Sequence, residues 1–332
     1  MRVGVIFTAL TGLIVAVYLI FYVGVGPVLS ATAASGWGGF ALLCLYGAAL
    51  FALLGTAWFA LIPSKEARGL TTFVLGRAVR DCAGEILPFS HVGGLVIGAR
   101  AIMLRGVSGP LAFASTVVDM TVEMVAQIAF VLVGLSILIT HVHPSVASGE
   151  LVRGISIGLI VAAIGAAILV VLQRKSFTTI VRWMVRLLPD AAGRASAVQS
   201  RFAEIYNSPV RLAVSLTIHL LGWLGTVGWA WLAIRLIGLT LPFTSIVAIE
   251  AILSGIRSAA VFVPGAIGVQ EAAYALLGPL FGLAAPVALA LSLLRRARDI
   301  ALGVPILLAW QLAEGGHALR TSRNAARLVG ED

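Results

Sequence analysis

Asp119 and Glu123 stand four positions apart in the stretch Gly109–Thr140, which carries no other charged residue. Four positions make about one helical turn, so the two carboxylates share a face. Arg295 and Asp299 repeat that spacing in the apolar stretch Ala284–Gln311, with Arg296 and Arg298 between them. Upstream, Arg77 and Arg80 lie three apart on one face, with Asp81 and Glu85 on a neighbouring one, while Arg257 and Glu271 flank Pro264 and Gly265. A charge in apolar surroundings needs a partner, water or a ligand. The planar guanidinium fork matches phosphate and carboxylate geometry. A cavity that gathered these side chains would therefore hold a lipid head group while the tails stay in hydrocarbon. The alternative is internal pairing, Arg80 with Glu85, Arg295 with Asp299 and Arg257 with Glu271, which would fasten helices together and bind nothing.

The elements that carry these residues follow from composition. Of 332 residues, 60% are hydrophobic and 11% charged, and the mean hydropathy is +1.05, whereas a soluble domain carries roughly 25% charged residues. That balance excludes a soluble globule and predicts an all-α polytopic membrane protein. The formal net charge of +9 fits basic cytoplasmic loops facing anionic lipid rather than nucleic-acid binding. Cys44 and Cys82 are isolated, so neither a disulfide framework nor a thiolate metal site is indicated. His141-Val142-His143 lacks neighbouring Cys or acidic clusters, so no metal or other cofactor is expected. P-loop, nucleophile-elbow, zincin and dinucleotide fingerprints are missing, and no catalytic residue is assigned.

Uninterrupted spans are expected at Val3–Val25, Gly38–Ile62, Gly109–Thr140, Gly154–Gln173, Val210–Ile237 and Ala284–Gln311, each near or above the roughly 20 residues that cross a bilayer. Two further apolar regions, 71–103 and 245–283, are broken near their middles, the first at Pro88, with Gly93-Gly94 following, and the second at Pro264-Gly265. Proline removes a backbone donor and glycine permits the reversal. Broken backbone at membrane depth survives only inside protein or beside a wet cavity. Both regions are therefore expected to form re-entrant helical hairpins, giving six full spans plus two hairpins in one membrane domain, 1–332.

Arginine-rich segments at 65–80, 174–211 and the C-terminal tail place both termini in the cytoplasm, with the hairpins entering from opposite sides. The chain then divides into a first repeat, 67–173, and a second, 209–312, joined by a cytoplasmic loop, 174–208. Inverted repeats with broken helices point to a transporter's binding site; a chance match of Pro and Gly is the plainer explanation. Trp37, Trp58, Trp183 and Trp310 read as interfacial anchors, His219 as a satisfied polar group at a helix contact, and Gly154-x-x-x-Gly158 as a packing signal. The segment 174–206 reads as a surface-lying amphipathic helix or a solvated loop.

The run Arg257-Ser258-Ala259-Ala260-Val261-Phe262-Val263-Pro264-Gly265-Ala266-Ile267-Gly268-Val269-Gln270-Glu271, followed by Leu291–Asp299, resembles the membrane protein associated with hopanoid biosynthesis. That group belongs to the family sharing the transmembrane region of lysylphosphatidylglycerol synthase. Leu87-Pro88-Phe89-Ser90 and Gly93-Gly94 extend the resemblance to nearly the whole chain. It implies a flippase-type region without the soluble aminoacyl-transferase domain, set in a bacterial inner membrane, with a hopanoid or phospholipid as cargo. A second copy of the chain and lipid-biosynthesis or export proteins are the other expected partners. The candidate site comprises Arg77, Arg80, Pro88, Asp119, Glu123, Arg257, Pro264, Gly265, Glu271, Arg295, Arg298 and Asp299. An intramembrane enzyme modifying a head group and a non-transporting scaffold are the competing classes.

Overall fold

A computed structural model describes residues 33–63, 69–86, 90–141, 192–260 and 263–329, with a few positions between 153 and 164. Among the described residues there are nine α-helices and no strand. They are α1 (Gly36–Ala60), α2 (Leu70–Ile86), α3 (Ser90–Met103), α4 (Gly109–His141), α5 (Ala192–Tyr206), α6 (Pro209–Leu236), α7 (Phe243–Ala259), α8 (Val269–Leu280) and α9 (Ala285–Val329).

Among the described residues three helices are long and apolar enough to cross a membrane: α1, residues Gly109–Thr140 of α4, and α6, at 25, 32 and 28 residues. At 1.5 Å per residue each exceeds a hydrocarbon core of about 30 Å. Their outward faces remain apolar, with Leu45, Val133, Val210 and Leu221 at least half exposed, as a helix solvated by lipid requires. The expected span Val3–Val25 lies outside the described residues, as does nearly all of Gly154–Gln173.

The last span departs from expectation. It does not end at Gln311 but is the front of a 45-residue helix containing Pro305, about 67 Å long at the usual rise. Beyond that point the Arg100 guanidinium on α3 pairs with Glu314 at 2.7 Å. The segment 174–206, expected as a surface-lying helix or a solvated loop, is described only from Ala192, where it forms α5. Phe202 and Ile205 of α5 are buried with Leu111, Val118 and Phe73, so its apolar side packs on protein.

Small residues set the helix contacts. Leu54, Leu50 and Tyr46, at successive turns of α1, lie against Gly222, Gly225 and Gly228 of α6, where any Cβ would collide with them. Close approach through glycine is a main source of packing attraction where hydrophobic force between helices is absent. Gly154 and Gly158, by contrast, meet nothing within 4 Å among the described residues.

Both interrupted regions form helix pairs. In the first, α2 packs on α3 so closely that a Cβ at Gly98 would stand 2.8 Å from Arg80 Cβ. Pro88 lies outside the described residues, so only the two flanks of that break are seen. In the second, the chain reverses between α7 and α8 through a 3₁₀ turn, Pro264–Ala266. Gly265, Ala266 and Gly268 take left-handed φ values of 57°, 49° and 80°, a region that costs side-chain-bearing residues roughly 1–2 kcal/mol. The two pairs touch, since a Cβ on Gly265 would lie 2.7 Å from the carbonyl oxygen of Glu85.

Candidate functional site

The order helix, break, helix, long helix occurs twice, as α2–α3–α4 and as α7–α8–α9. The charged residues occupy matching positions in it. Asp119 and Glu123 lie ten and fourteen residues after the first residue of α4, and Arg295 and Asp299 lie ten and fourteen after the first residue of α9. Arg77 comes seven residues into α2, and Glu250 seven residues into α7. Each repeat joins its position seven to its position ten by an ion pair, Arg77 to Asp119 at 3.2 Å and Arg295 to Glu250. The signs are reversed between them.

In the first repeat, Arg77 and Arg80 share three carboxylates. Arg77 donates to Asp81 at 2.6 Å, to Asp119 and to Glu123 at 2.5 Å. Arg80 donates to Asp119 at 2.6 Å, Glu123 at 2.9 Å and Asp81 at 3.3 Å, and its guanidinium lies 5.3 Å from the Trp58 ring centre. Asp119 has no exposed side-chain surface; its other oxygen is 3.0 Å from His219 Nε2 on α6. Charge-assisted bonds at this density are what buried ions require.

In the second repeat, Glu250 accepts from the Tyr274 hydroxyl at 2.6 Å and from Arg295. Arg295 sits between the rings of Trp229 and Tyr274, at 5.1 and 5.8 Å. Arg296 spans the break, donating to the carbonyls of Gly265 at 3.0 Å and Ala266 at 3.2 Å and to Glu271 Oε1 at 2.6 Å. Glu271 in turn accepts from the Gly268 backbone N–H at 2.7 Å, so these two residues tie down the left-handed turn. Arg298 pairs with adjacent Asp299 at 2.5 Å and lies 4.6 Å from the Trp229 ring centre.

Arg257 joins the repeats, donating from Nη2 to both oxygens of Glu85 at 2.6 and 2.5 Å. None of the three pairings that made up the alternative reading occurs: Arg80 bonds to Asp81, Asp119 and Glu123, Arg295 to Glu250, and Arg257 to Glu85. The partners of Arg295 and Arg257 come instead from other helices, and Arg80 adds Asp119 and Glu123 of α4 to its sequence neighbour Asp81. Trp58 is likewise no interfacial anchor, being fully buried and donating to Ser115 Oγ at 3.1 Å. His219 is only half satisfied, because its buried Nδ1 has no partner among the described residues.

A cavity of about 780 Å³ opens between the repeats and is walled also by α1 and α6. Its apolar lining includes Leu50, Leu54, Met120, Met124, Ile128 and Trp223. The charged lining presents the arginines 77, 80, 257, 295 and 298 with Asp81, Glu85, Glu123, Glu250 and Asp299. Gly265 also lines it. Asp119 and Glu271 are not among its lining residues. Glu250, Glu85 and Arg296 were missed as site residues, and the repeat register was the signal that locates Glu250. Among the described residues no His, Cys, Asp and Glu group suits a metal ion.

The family profile for the lysylphosphatidylglycerol synthase TM region matches residues 5–306. No curated protein and no solved structure matches the chain.

Proposed function

The chain belongs to the lysylphosphatidylglycerol synthase TM region family, and from that premise we propose that it is a lipid transporter of flippase type, moving an amphiphile between leaflets or out of the inner membrane. One observation carries the reading. The cavity is lined by both charged and apolar side chains, and both repeats contribute to it. Such a space is complementary to a molecule with a polar head and a hydrocarbon body, and binding sites at repeat interfaces beside broken helices are the common plan of transporters.

In this reading the chain has six spans and two re-entrant hairpins of opposite insertion, with both termini cytoplasmic. The matching positions of Arg77 and Glu250, and of Asp119 and Arg295, support the repeat. No covalent chemistry is assigned to the chain. The resemblance to the hopanoid-associated proteins makes a hopanoid or related polycyclic lipid the proposed cargo, with phospholipid second.

Mass spectrometry of lipids retained by the purified protein tests the cargo: bound hopanoid supports it, and ordinary phospholipid alone contradicts it. Incubating the protein with that lipid separates transport from catalysis, because an enzyme would leave a product of altered mass.

A further inference from the structure

We infer that the cavity selects a lipid whose head group carries no net charge, discriminating against both net-negative and net-positive head groups. The inference rests on the reading of the cavity as a lipid path and names the substrate class for it.

Arginines alone would favour an anionic head group, and the wall contains five of them. It also presents five carboxylates, so the charges that face the cavity balance. Each of those arginines is bonded to at least one carboxylate, so no guanidinium faces the cavity without one. Of two acids behind the wall, Asp119 gives the cluster around Arg77 and Arg80 a third carboxylate, but neither puts a further oxygen on the cavity lining. Asp119 is held by Arg77, Arg80 and His219, and Glu271 by Arg296.

A phosphate entering such a wall meets a carboxylate beside every guanidinium, and a free ammonium meets a guanidinium beside every carboxylate. Either ion gains attraction from one member of a pair and repulsion from the other. A zwitterion or a hydroxyl-rich uncharged head matches alternating signs without displacing a pair. Neutral polar groups continue the surface, since the Gln127 amide, another lining group, donates to Ser258 Oγ at 2.8 Å and to the Ser254 carbonyl at 3.1 Å. The most open pair is Arg257 with Glu85, whose side chains are 20% and 35% exposed, so a head group arriving from the cavity meets these two first.

The test is competitive binding read by native mass spectrometry. Delipidated protein in detergent receives an equimolar mixture of four lipids with identical acyl chains: phosphatidylcholine, an uncharged glycosyl diacylglycerol, phosphatidylglycerol and a cationic phosphotriester of phosphatidylcholine. Phosphatidylcholine, the glycolipid or both should exceed each charged lipid in occupancy by about tenfold, the factor that corresponds to about 1.4 kcal/mol; whichever leads distinguishes a zwitterionic from an uncharged cargo. Equal or greater occupancy by either charged lipid overturns the inference.

Glu85→Gln, which leaves the wall one positive charge in excess, should move the preference toward phosphatidylglycerol by about tenfold, and Arg257→Gln should move it as far toward the cationic lipid. An unchanged preference in whichever variant folds also overturns it. Translocation of the same lipids in vesicles is measured alongside. Neutral-selective binding without translocation contradicts the transport reading and keeps the inference, whereas translocation that favours phosphatidylglycerol does the reverse.

Discussion

Arg77 and Glu250 occupy the same position, seven residues into the first helix of their respective hairpins, and carry opposite charges. Each reaches position ten of the long helix that closes its repeat, Asp119 or Arg295. One helical order thus carries two ion pairs of reversed polarity, and Arg77, Glu250 and Arg295 line the same cavity. Burying ions costs several kcal/mol apiece, so each of these charges depends on its partner.

Reversing the second pair tests this directly. Glu250→Arg alone should destabilise the protein by about 3–5 kcal/mol, because it sets two buried guanidinium groups together. Combining it with Arg295→Glu should recover part of that loss, with a coupling energy of about 1–3 kcal/mol in a double-mutant cycle. Thermal unfolding in detergent reads both, and strict additivity would contradict a direct pair.

Arg80→Gln should be among the most damaging single substitutions, at about 3–5 kcal/mol, since it leaves Arg77 alone against Asp81, Asp119 and Glu123. Arg80→Lys should recover only part, because an ammonium does not reproduce a fork bonded to three carboxylates. Recovery to wild-type melting with lysine would contradict the fork's role.

Gly265→Ala should lower stability by at least about 1–2 kcal/mol, the cost of a side chain at a φ of 57°, with a further contribution from the collision with the Glu85 carbonyl. Measured melting temperatures should place it well below Gly154→Ala, a position with nothing within 4 Å among the described residues. Equal melting would show that the two hairpins do not abut at this glycine.

Arg298→Gln should separate function from fastening. Its acid partner is the adjacent Asp299, its guanidinium lies by the Trp229 ring and its methylenes lie against Gly47, so the expected loss of stability is only about 1–2 kcal/mol. Lipid translocation in reconstituted vesicles should nevertheless fall about tenfold or more, the equivalent of about 1.4 kcal/mol. Normal translocation would remove Arg298 from the site.

Membrane character, three spans and both interrupted regions were legible because each is written in contiguous sequence. Asp119 and Glu123 stood out for the same reason, as the only charges of a long apolar run. What sequence could not supply was the partner of each charge. Arg257 has Glu271 fourteen positions away, yet it bonds to Glu85 across 172. Glu250, with its partner 45 positions downstream, shows no helical spacing that marks it. Trp58 looked interfacial because it lies near the end of a span, but α1 turns it into the core under Arg80. Local spacing reports which residues share a face; pairing between helices depends on packing, here on glycine contacts such as Gly98 with Arg80.

The central claim is that lipid passes through the cavity between the repeats. It is tested by the protection of acyl-labelled fluorescent lipid from dithionite in vesicles holding wild-type protein or Met120→Trp, which puts an indole into the apolar lining of that cavity. Wild-type protein should expose inner-leaflet lipid to the reductant much faster than protein-free vesicles, and Met120→Trp should lose most of that activity while melting normally. A wild-type rate equal to that of protein-free vesicles, or a folded Met120→Trp that moves lipid at full speed, would contradict the account.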